Sequence, residues 1–304
     1  MKVSDFVAKY LEIRGVTHCY ELVGGMITHL LDSISNKTKI NIVSCHHEQT
    51  AGFAAEGHAR ITGIPGVALA TSGPGATNLL TAIASCYFDS TPALFITGQV
   101  NTHEKSGNKG LRQLGFQETN IIEMSKPITK RSYEVDSANK IPEILHEAFN
   151  YSLSGRKGPC LVDIPMNIQS EQIEIQKVNQ FLIKASNQLC KKDDINLINE
   201  YYLQNLLKEI KLSRKPLVLM GGGCTSFENR KSAIKIAKSL KLPIVFSLMA
   251  VDLLPVENDL RVGFIGSYGN RWANRVLGDA DLLIVIGSRL DIRQTRSDLK
   301  SFCV

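Results

Sequence analysis

Apolar and polar residues alternate at helical spacing from the start of the chain. One face of a predicted first helix carries Val3, Phe6, Val7, Tyr10 and Leu11, at positions i, i+3, i+4, i+7 and i+8. Ser4 or Asp5 is expected to begin this helix and Gly15 to end it, because short polar residues cap helix N-termini and glycine often follows C-termini.

Short apolar runs and helical patterns then alternate along the first half of the chain. The predicted strands are CYELV, INIVSC, GVALAT, ALFITG and GPCLVDIP, at 19–23, 40–45, 66–71, 93–98 and 158–165. Helical patterns lie at 26–34, 46–60 and 141–153, and another helix is expected after the turn at 72–78. This alternation is typical of a parallel sheet covered by helices on both faces.

A second unit of the same kind follows a polar stretch. Its predicted strands are PLVLM, PIVFS and ADLLIVIG, at 216–220, 243–247 and 280–287. The sequence therefore predicts an α/β protein with two doubly wound parallel-sheet domains: residues 1–168, a linker over 169–196, and a Rossmann-like domain over 197–304. The second domain is expected to be incomplete, since such a sheet normally continues past its last predicted strand.

Composition narrows the function classes. The 304 residues are 43% hydrophobic and carry a net charge of +6 that is scattered along the chain, which argues against a nucleic-acid-binding surface. The seven cysteines form no C-x-x-C pair, which argues against a zinc site or a disulfide framework. No apolar stretch is long enough for a signal peptide or a membrane span, so a cytoplasmic location is expected.

Three positions could carry chemistry, although each also has a purely structural explanation. Glu48 follows a strand and opens a helix, where ligands gather in such sheets, but a first-turn glutamate also stabilises the helix dipole. The glycines of the turn Ser72-Gly73-Pro74-Gly75 would let a ligand approach the backbone. The geometry of a tight turn alone would also explain them. The run Gly221–Gly223 lacks the third glycine of a dinucleotide loop, and HHEQT lacks the second histidine of a zinc protease motif.

The ordered set of segments is more specific than its members. In the first unit these are GVTHCYELVGG, HHEQTAGFAAEGHARITGIPGVALATSGPGATN, DSTPALFITGQV, LGFQETNI, KPITK and SGRKGPCLVDIP. In the second they are KPLVLMGGG, LPIVFSLMAVDLLP, GFIGSYGNRWAN and ADLLIVIGSRLDIRQT. They resemble, over nearly the whole chain, the N-terminal pyrimidine-binding domain and the central domain of acetolactate synthases and related thiamine-diphosphate enzymes.

The resemblance implies an activity and its cofactors. Enzymes of this family decarboxylate a 2-oxo acid such as pyruvate and join the two-carbon unit to a second 2-oxo acid. They use thiamine diphosphate, they bind Mg²⁺ through a third domain, and some hold FAD in the central domain. Their active sites form between subunits, so a homodimer or homotetramer is expected.

The resemblance also implies roles for particular residues. Glu48 matches the glutamate that hydrogen-bonds to the pyrimidine ring and so promotes loss of the thiazolium proton. Pocket residues are matched by Gly24, Gly25, Ser72, Gly73, Pro74 and Asn78. Phe116 and the catalytic candidate Gln117 match a pair beside substrate and flavin, but they could instead be a core residue and a backbone cap. The flavin-binding positions are matched by Gly221, Gly222, Gly223, Arg289 and Asp291, and no metal ligand is predicted.

Departures from the family leave alternatives open. Val23 stands where a proline is usual and Met166 where a lysine is usual, and a loop gains basic residues: Lys105, Lys109 and Arg112. These differences favour another substrate, such as that of a related decarboxylase or of an enzyme of surface-polysaccharide synthesis. The Gly-Asp-Gly…Asn pattern of the third domain is absent from the sequence. The chain is therefore expected to be a fragment that is inactive alone, and a binding or dimerisation module without catalysis is the remaining alternative.

Overall fold

The computed structural model describes residues 1–107, 110–188, 199–295 and 302. The chain divides into two compact units, Met1–Lys192 and Asp193–Val304. Each unit contains one parallel sheet, of six strands in the first and four in the second, and this confirms the predicted fold class.

The sheet of the first unit has a reversal in its strand order that matters for the site. Its strands are β1 (His18–Leu22), β2 (Asn41–Ser44), β3 (Gly66–Ala70), β4 (Ala93–Gln99), β5 (Arg131–Glu134) and β6 (Pro159–Pro165). Their spatial order is β2-β1-β3-β4-β6-β5, and every neighbouring pair is parallel. The order reverses between β1 and β3, and in open parallel sheets ligands bind in a crevice at this point of the carboxyl edge.

Helices cover both faces of this sheet. They are α1 (Val3–Ile13), α2 (Thr28–Lys37), α3 (Glu48–Thr62), α4 (Pro74–Asn78), α5 (Leu80–Asp89), α6 (Ile121–Ser125), α7 (Ile141–Leu153), α8 (Met166–Ser170) and α9 (Ile175–Gln188). One core lies between the sheet and α1, α2, α7 and α9. A second core lies on the opposite face, beneath α3, α4, α5 and α6.

The central strand β3 shows how the sequence builds two cores at once. Val67 and Leu69 point into the first core, whereas Ala68 and Ala70 point into the second. Small residues on the second face let α3 lie close to the strand. Gly66 is part of this approach, because a Cβ there would lie 1.9 Å from the backbone oxygen of Ala55.

Two expectations about the N-terminal unit need correction. Helix α1 begins at Val3 with Lys2 as its N-cap, so the prediction that Ser4 or Asp5 begins it is wrong. Ser4 is buried within the helix, where its Oγ accepts a hydrogen bond from Ser33 Oγ at 2.8 Å. Gly15 follows the helix at φ +82°, as predicted for a helix end.

The stretch predicted to be a linker includes a helix. Helix α9 packs against α1 and α7 and contributes Val178 and Ala185 to the first core. The remainder of the stretch, from residue 189, lies outside the described residues. Among the cysteines, Cys19, Cys86, Cys160 and Cys224 are buried and Cys45 is partly exposed, while Cys190 and Cys303 fall outside the described residues.

The second unit repeats the architecture on a smaller scale. Its strands are β7 (Pro216–Met220), β8 (Ile244–Phe246), β9 (Arg261–Phe264) and β10 (Leu282–Ile286), in the spatial order β10-β7-β8-β9. Its helices are α10 (Glu200–Leu212), α11 (Arg230–Leu240), α12 (Arg271–Asp279) and α13 (Ile292–Thr295). The order reverses between β7 and β10, so the corresponding point of the carboxyl edge lies at the ends of these two strands.

Candidate functional site

The loops after β1 and β3 meet tightly at the carboxyl edge of the first sheet. A Cβ at Gly24 would lie 2.4 Å from the Cβ of Thr71, so only glycine fits there. The backbone N–H of Met26 donates a hydrogen bond to Thr71 Oγ1 at 3.2 Å. Gly25, next to Gly24, is exposed and has nothing within 4 Å of its Cβ position. Gly24 therefore serves loop packing, and Gly25 leaves open space beside the crevice.

Glu48 is the first residue of α3, which follows the carboxyl end of β2. His47 caps the helix, since its Nδ1 accepts a hydrogen bond from the backbone N–H of Gln49 at 3.1 Å. The Glu48 carboxylate thus belongs to the first turn of α3, at the positive end of the helix dipole. Glu48 is nevertheless only 7% exposed, so it is more than a surface glutamate at a helix start.

The two carboxylate oxygens of Glu48 differ in their partners. Oε2 accepts a hydrogen bond from Asn78 Nδ2 at 2.9 Å, whereas Oε1 has no hydrogen-bond donor within the part of the chain that the structure describes. A Cβ at Gly75 would lie 2.7 Å from Thr71 Cγ2 and 3.2 Å from Glu48 Oε1, so glycine lets the turn approach both side chains. One oxygen is thus fixed by the protein and the other is available to a donor on a ligand.

The turn after β3 brings these groups together. Gly73 adopts φ +65° and precedes Pro74, the first residue of α4, whose last residue is Asn78. Ser72 is 1% exposed, and its Oγ has no partner among the described residues. A buried polar atom without a partner is rare in folded proteins, so the Ser72 hydroxyl also fits a site for a polar ligand group.

The loop after β4 carries the predicted aromatic–glutamine pair to the same place. Gln117 has φ +63°, and its Cβ would lie 2.7 Å from a Cβ at Gly73. Phe116 is 77% exposed, so the alternative that it is an ordinary core residue is wrong. The structure therefore brings together Glu48, Ser72, Gly73, Pro74, Asn78 and Gln117, with Phe116 beside them on the surface of the loop.

Sequence reasoning missed a buried polar cluster beneath this loop. Asp163, on β6, is 2% exposed and accepts hydrogen bonds from Thr97 Oγ1 at 2.6 Å and from Gln99 Nε2 at 3.0 Å. Burial raises the pKa of Asp163 to about 7, against the lowering effect of its two donors. The signal in the sequence was a charged residue inside the otherwise apolar strand CLVDIP.

The residues that depart from the family pattern have distinct surroundings. Lys105 forms an ion pair with Glu134, so its charge is partly neutralised. Arg112 and Val23 are exposed, while Met166 is half-buried at the start of α8. Lys109 lies outside the described residues.

In the second unit, the glycine run lies at the reversal between β7 and β10. A Cβ at Gly221 would lie 2.4 Å from the backbone oxygen of Gly287, and one at Gly223 would lie 3.0 Å from its Cα. These two glycines therefore let the loops after β7 and β10 pack together. Gly222 has only Met249 near its Cβ position, at 3.2 Å.

Other groups of the second unit are relevant to a ligand. The Oγ atoms of Ser226, after the glycine run, and of Ser247, at the end of β8, are buried without partners among the described residues. Arg289 is exposed, and its Nε lies 3.9 Å from Asp291 Oδ2. Unlike the first site, this unit has no buried carboxylate among its described residues.

Clusters of metal ligands and membrane-spanning helices are both absent from residues 1–107, 110–188, 199–295 and 302. No group of three or more His, Cys, Asp or Glu side chains there is placed to hold a metal ion. No helix in these ranges combines the length and apolar character needed to cross a bilayer.

Both units match domains of known proteins. Residues 1–124 match the thiamine pyrophosphate enzyme N-terminal TPP-binding domain, and residues 203–303 match the central domain of the same enzymes. Acetolactate synthase isozyme 1 large subunit of Escherichia coli (strain K12) is 36% identical over 290 residues, covering 95% of this chain and 49% of the relative. Acetolactate synthase 2, chloroplastic, of Nicotiana tabacum is 36% identical over 299 residues, covering 97% and 42%.

A third relative extends the comparison to another bacterium. Acetolactate synthase large subunit of Corynebacterium glutamicum is 35% identical over 302 residues, covering 99% of this chain and 46% of the relative. The chain thus spans about half the length of the curated relatives it matches. With both domain matches in sequence order, the chain belongs to the thiamine pyrophosphate enzyme family and carries its N-terminal TPP-binding domain and its central domain.

Proposed function

We propose that the first unit binds the aminopyrimidine ring of thiamine diphosphate in an enzyme that acts on 2-oxo acids, as acetolactate synthase does. The observation that carries this proposal is the Glu48 carboxylate, which is buried, anchored through one oxygen and open to a ligand at the other. It lies at the strand-order reversal where ligands bind in open parallel sheets.

Each residue around the crevice fits a role in binding the cofactor. When bound, thiamine diphosphate supplies a nucleophilic thiazolium carbon, and the protein supplies binding and electrostatics. Glu48 Oε1 accepts a hydrogen bond from a protonated ring nitrogen of the pyrimidine, while Asn78 keeps the carboxylate from rotating. Exclusion of water strengthens this charge-assisted hydrogen bond. The Ser72 hydroxyl is available to a second polar group of the ring.

The substrate side is assigned to the loop after β4. Phe116 presents an exposed aromatic ring, and Gln117 an amide, beside the turn at Gly73. We assign to this pair the contact with the 2-oxo acid, pyruvate being the donor. Met166 replaces the lysine that is usual in acetolactate synthases, and this favours an acceptor other than a second pyruvate, as in a related decarboxylase or lyase.

The remaining parts of the proposal concern groups beyond this unit. The diphosphate is held through Mg²⁺ by a diphosphate-binding domain, and the active site is completed in a homodimer or homotetramer. These features are taken from the family relationship, and the chain's share in them is the pyrimidine side alone.

A pair of glutamates on α3 provides the test. Glu48→Gln removes the charge that meets the pyrimidine, whereas Glu56→Gln removes an equally buried charge that forms an ion pair with Arg60 at 2.6 Å. Isothermal titration of thiamine diphosphate with MgCl₂ into the full chain is expected to show binding that Glu48→Gln weakens by roughly tenfold or more. Glu56→Gln should lower the melting temperature and leave the affinity unchanged.

The outcomes separate the alternatives. Equal affinity for the wild type and Glu48→Gln would contradict the role of Glu48. Consumption of pyruvate by the chain would support the enzyme, and the product then identifies the acceptor. Binding of thiamine diphosphate without any consumption of pyruvate is the result that both the pyrimidine-binding role of this chain and a binding or dimerisation module predict.

The second unit is proposed to bind FAD at the glycine run. The unpartnered hydroxyls of Ser226 and Ser247 and the open approach to Gly222 fit a polar, extended ligand. Quenching of FAD fluorescence tests this, with Gly222→Val expected to prevent it. Gly278→Ala is the matched control, since nothing lies within 4 Å of its Cβ position. Quenching that both variants retain would contradict this assignment.

A further inference from the structure

A buried carboxylate and an amide lie side by side on the face of the sheet that α3 covers. Thr97 and Gln99 are two residues apart on β4 and so point to the same face, and Thr97 pairs with Asp163 in the strand register. Asp163 Oδ1 accepts a hydrogen bond from Thr97 and its Oδ2 accepts one from Gln99. This cluster is not used in the proposed chemistry, yet a buried carboxyl group needs hydrogen-bond partners of this kind.

The side chain of Gln99 is fully engaged and has one possible orientation. Its Nε2 donates to Asp163 Oδ2 at 3.0 Å and to the backbone oxygen of Thr119 at 2.8 Å. Its Oε1 accepts a hydrogen bond from the backbone N–H of Val100 at 3.1 Å. If the amide of Gln99 were reversed, its oxygen would face the carboxyl group of Asp163 and the carbonyl of Thr119. Asp163 therefore fixes the orientation in which Gln99 donates its hydrogen bond to Thr119.

The grip on Thr119 reaches Gln117. Thr119 Oγ1 donates a hydrogen bond to the backbone oxygen of Gln117 at 3.4 Å, and Gln117 packs against Gly73. The same oxygen of Thr119 that Gln99 holds also accepts the N–H of Ile121, the first residue of α6. The contacts thus run from the interior of the sheet to the loop beside Glu48.

The outer part of the loop has a separate anchor. Glu118 accepts hydrogen bonds from the backbone N–H of Ser106 at 2.7 Å and from that of Leu114 at 2.8 Å. Burial would raise the pKa of Glu118, but these backbone donors hold it below its usual value. Glu118 therefore connects positions within the loop. Gln99, by contrast, connects the loop to the sheet.

We infer that Asp163 and Gln99 are positioning residues, which hold the loop carrying Phe116 and Gln117 at the turn of Gly73. Both residues are buried; Asp163 orients Gln99, and Gln99 fixes the carbonyl of Thr119. The inference deepens the proposed function, because it assigns the groups that place the substrate side of that site. The loop geometry itself does not depend on whether a cofactor binds.

Amide hydrogen exchange of the full chain, followed by NMR without thiamine diphosphate, tests the inference. The probes are the N–H groups of Ile121 and Glu118, which donate to Thr119 and Gly115 within the loop. The reference is the N–H of Thr91, which donates to Cys86 at the end of α5. Gln99→Leu is expected to speed exchange of the loop probes by roughly tenfold or more relative to the reference.

Two further variants make the result decisive. Asp163→Ala, which removes the acceptor of Gln99 Nε2, should give the same selective effect if Gln99→Leu fails to fold. Thr97→Val removes a hydrogen bond to Asp163 without touching Thr119, so it should speed all probes by one common factor. Loop probes that stay level with Thr91 in both Gln99→Leu and Asp163→Ala would overturn the inference.

The outcome is separable from that of the proposed function. Selective loosening of the loop supports the positioning role even if thiamine diphosphate does not bind. Failure of the cofactor to bind, with the loop probes behaving as expected, counts against the proposed function alone.

Discussion

Gly73 and Gln117 interlock at positive φ angles of +65° and +63°, and the Gln117 side chain occupies the space that a side chain on Gly73 would need. The two residues belong to loops that follow neighbouring parallel strands, β3 and β4. Gln117 is a non-glycine residue at positive φ, and Gly73 leaves the room that its side chain needs in this conformation. Strain of this kind concentrates at functional sites, and here it joins the turn beside Glu48 to the loop carrying Phe116.

Gly73→Ala should therefore destabilise the first unit. The new Cβ would lie 2.7 Å from the Cβ of Gln117 and 3.1 Å from its backbone oxygen, and alanine also disfavours this φ. A loss of about 1–3 kcal/mol in the free energy of unfolding is expected, measured by urea denaturation.

Gly57→Ala is the matched control for that substitution. Gly57 lies within α3, and nothing is within 4 Å of its Cβ position, so alanine should raise the free energy of unfolding by about 0.5–1 kcal/mol. If Gly73→Ala were as stable as the wild type, the interlock would contribute nothing to the fold.

Asn78→Asp tests the contact with Glu48 through its pH dependence. The substitution places a second carboxylate about where Nδ2 now donates at 2.9 Å, and two such groups favour sharing one proton. The folded pKa of the pair is thereby raised, so stability is greatest at low pH and is lost as pH rises through that pKa. The stability deficit relative to wild type should be large at pH 8 and should shrink toward pH 5.

Asn78→Ala separates charge repulsion from the loss of the hydrogen bond. It removes the donor without adding a charge, so its deficit should change little over the same pH range. Parallel deficits for the two variants would mean that the side chains of residues 48 and 78 do not meet in solution.

The fold was predictable wherever apolar spacing was regular. The five predicted strands and the helix at 141–153 of the first unit are confirmed. Strand β5 was missed because Tyr133 is its one buried side chain, and β9 because Gly263, at φ +145°, falls beside an irregular register. Helix α9 was also missed, although its sequence carries the signal. Helical spacing is present within the polar stretch at Val178, Phe181, Leu182 and Ala185.

The site was predictable only in part. Resemblance to the family singled out Glu48 and Asn78, which are 30 positions apart in sequence, but not the distance between them. The close contacts at Gly75 and the hydrogen bond from Gln99 to Thr119 depend on packing between segments that are distant in sequence. No local pattern encodes such contacts, since they follow from strand order and register.

In the second unit, Asp281 closes the turn between α10 and β7. Its carboxylate accepts hydrogen bonds from Ser213 Oγ and from the backbone N–H groups of Arg214 at 2.8 Å and Lys215 at 2.9 Å. The Ser213 hydroxyl and then these N–H groups lower the pKa of Asp281 to about 2. The stabilisation is therefore present above the unfolded value near 3.8 and is lost as pH falls through about 2.

Asp281→Asn should lower the melting temperature of the second unit at pH 7. The difference from wild type should narrow as the pH approaches 3, because the wild-type carboxylate begins to lose its advantage there. Asp279→Asn is a control on the same side of β10, where the carboxylate has no such set of backbone donors among the described residues. An equal effect of the two substitutions would assign the loss to net charge.

Asp163 should make the stability of the first unit fall as pH rises. Burial raises its pKa to about 7 from 3.8, with hydrogen bonds from Thr97 and Gln99 and the charge of Lys105 acting to lower it and Glu134 to raise it. The native state then keeps a proton that the unfolded chain releases, so stability is lost between these two pH values. Asp163→Asn removes this dependence. Urea denaturation at pH 5 and 8 should show the variant gaining about 2–3 kcal/mol relative to wild type. A constant difference would mean that Asp163 is ionised throughout, its hydrogen-bond donors outweighing its burial.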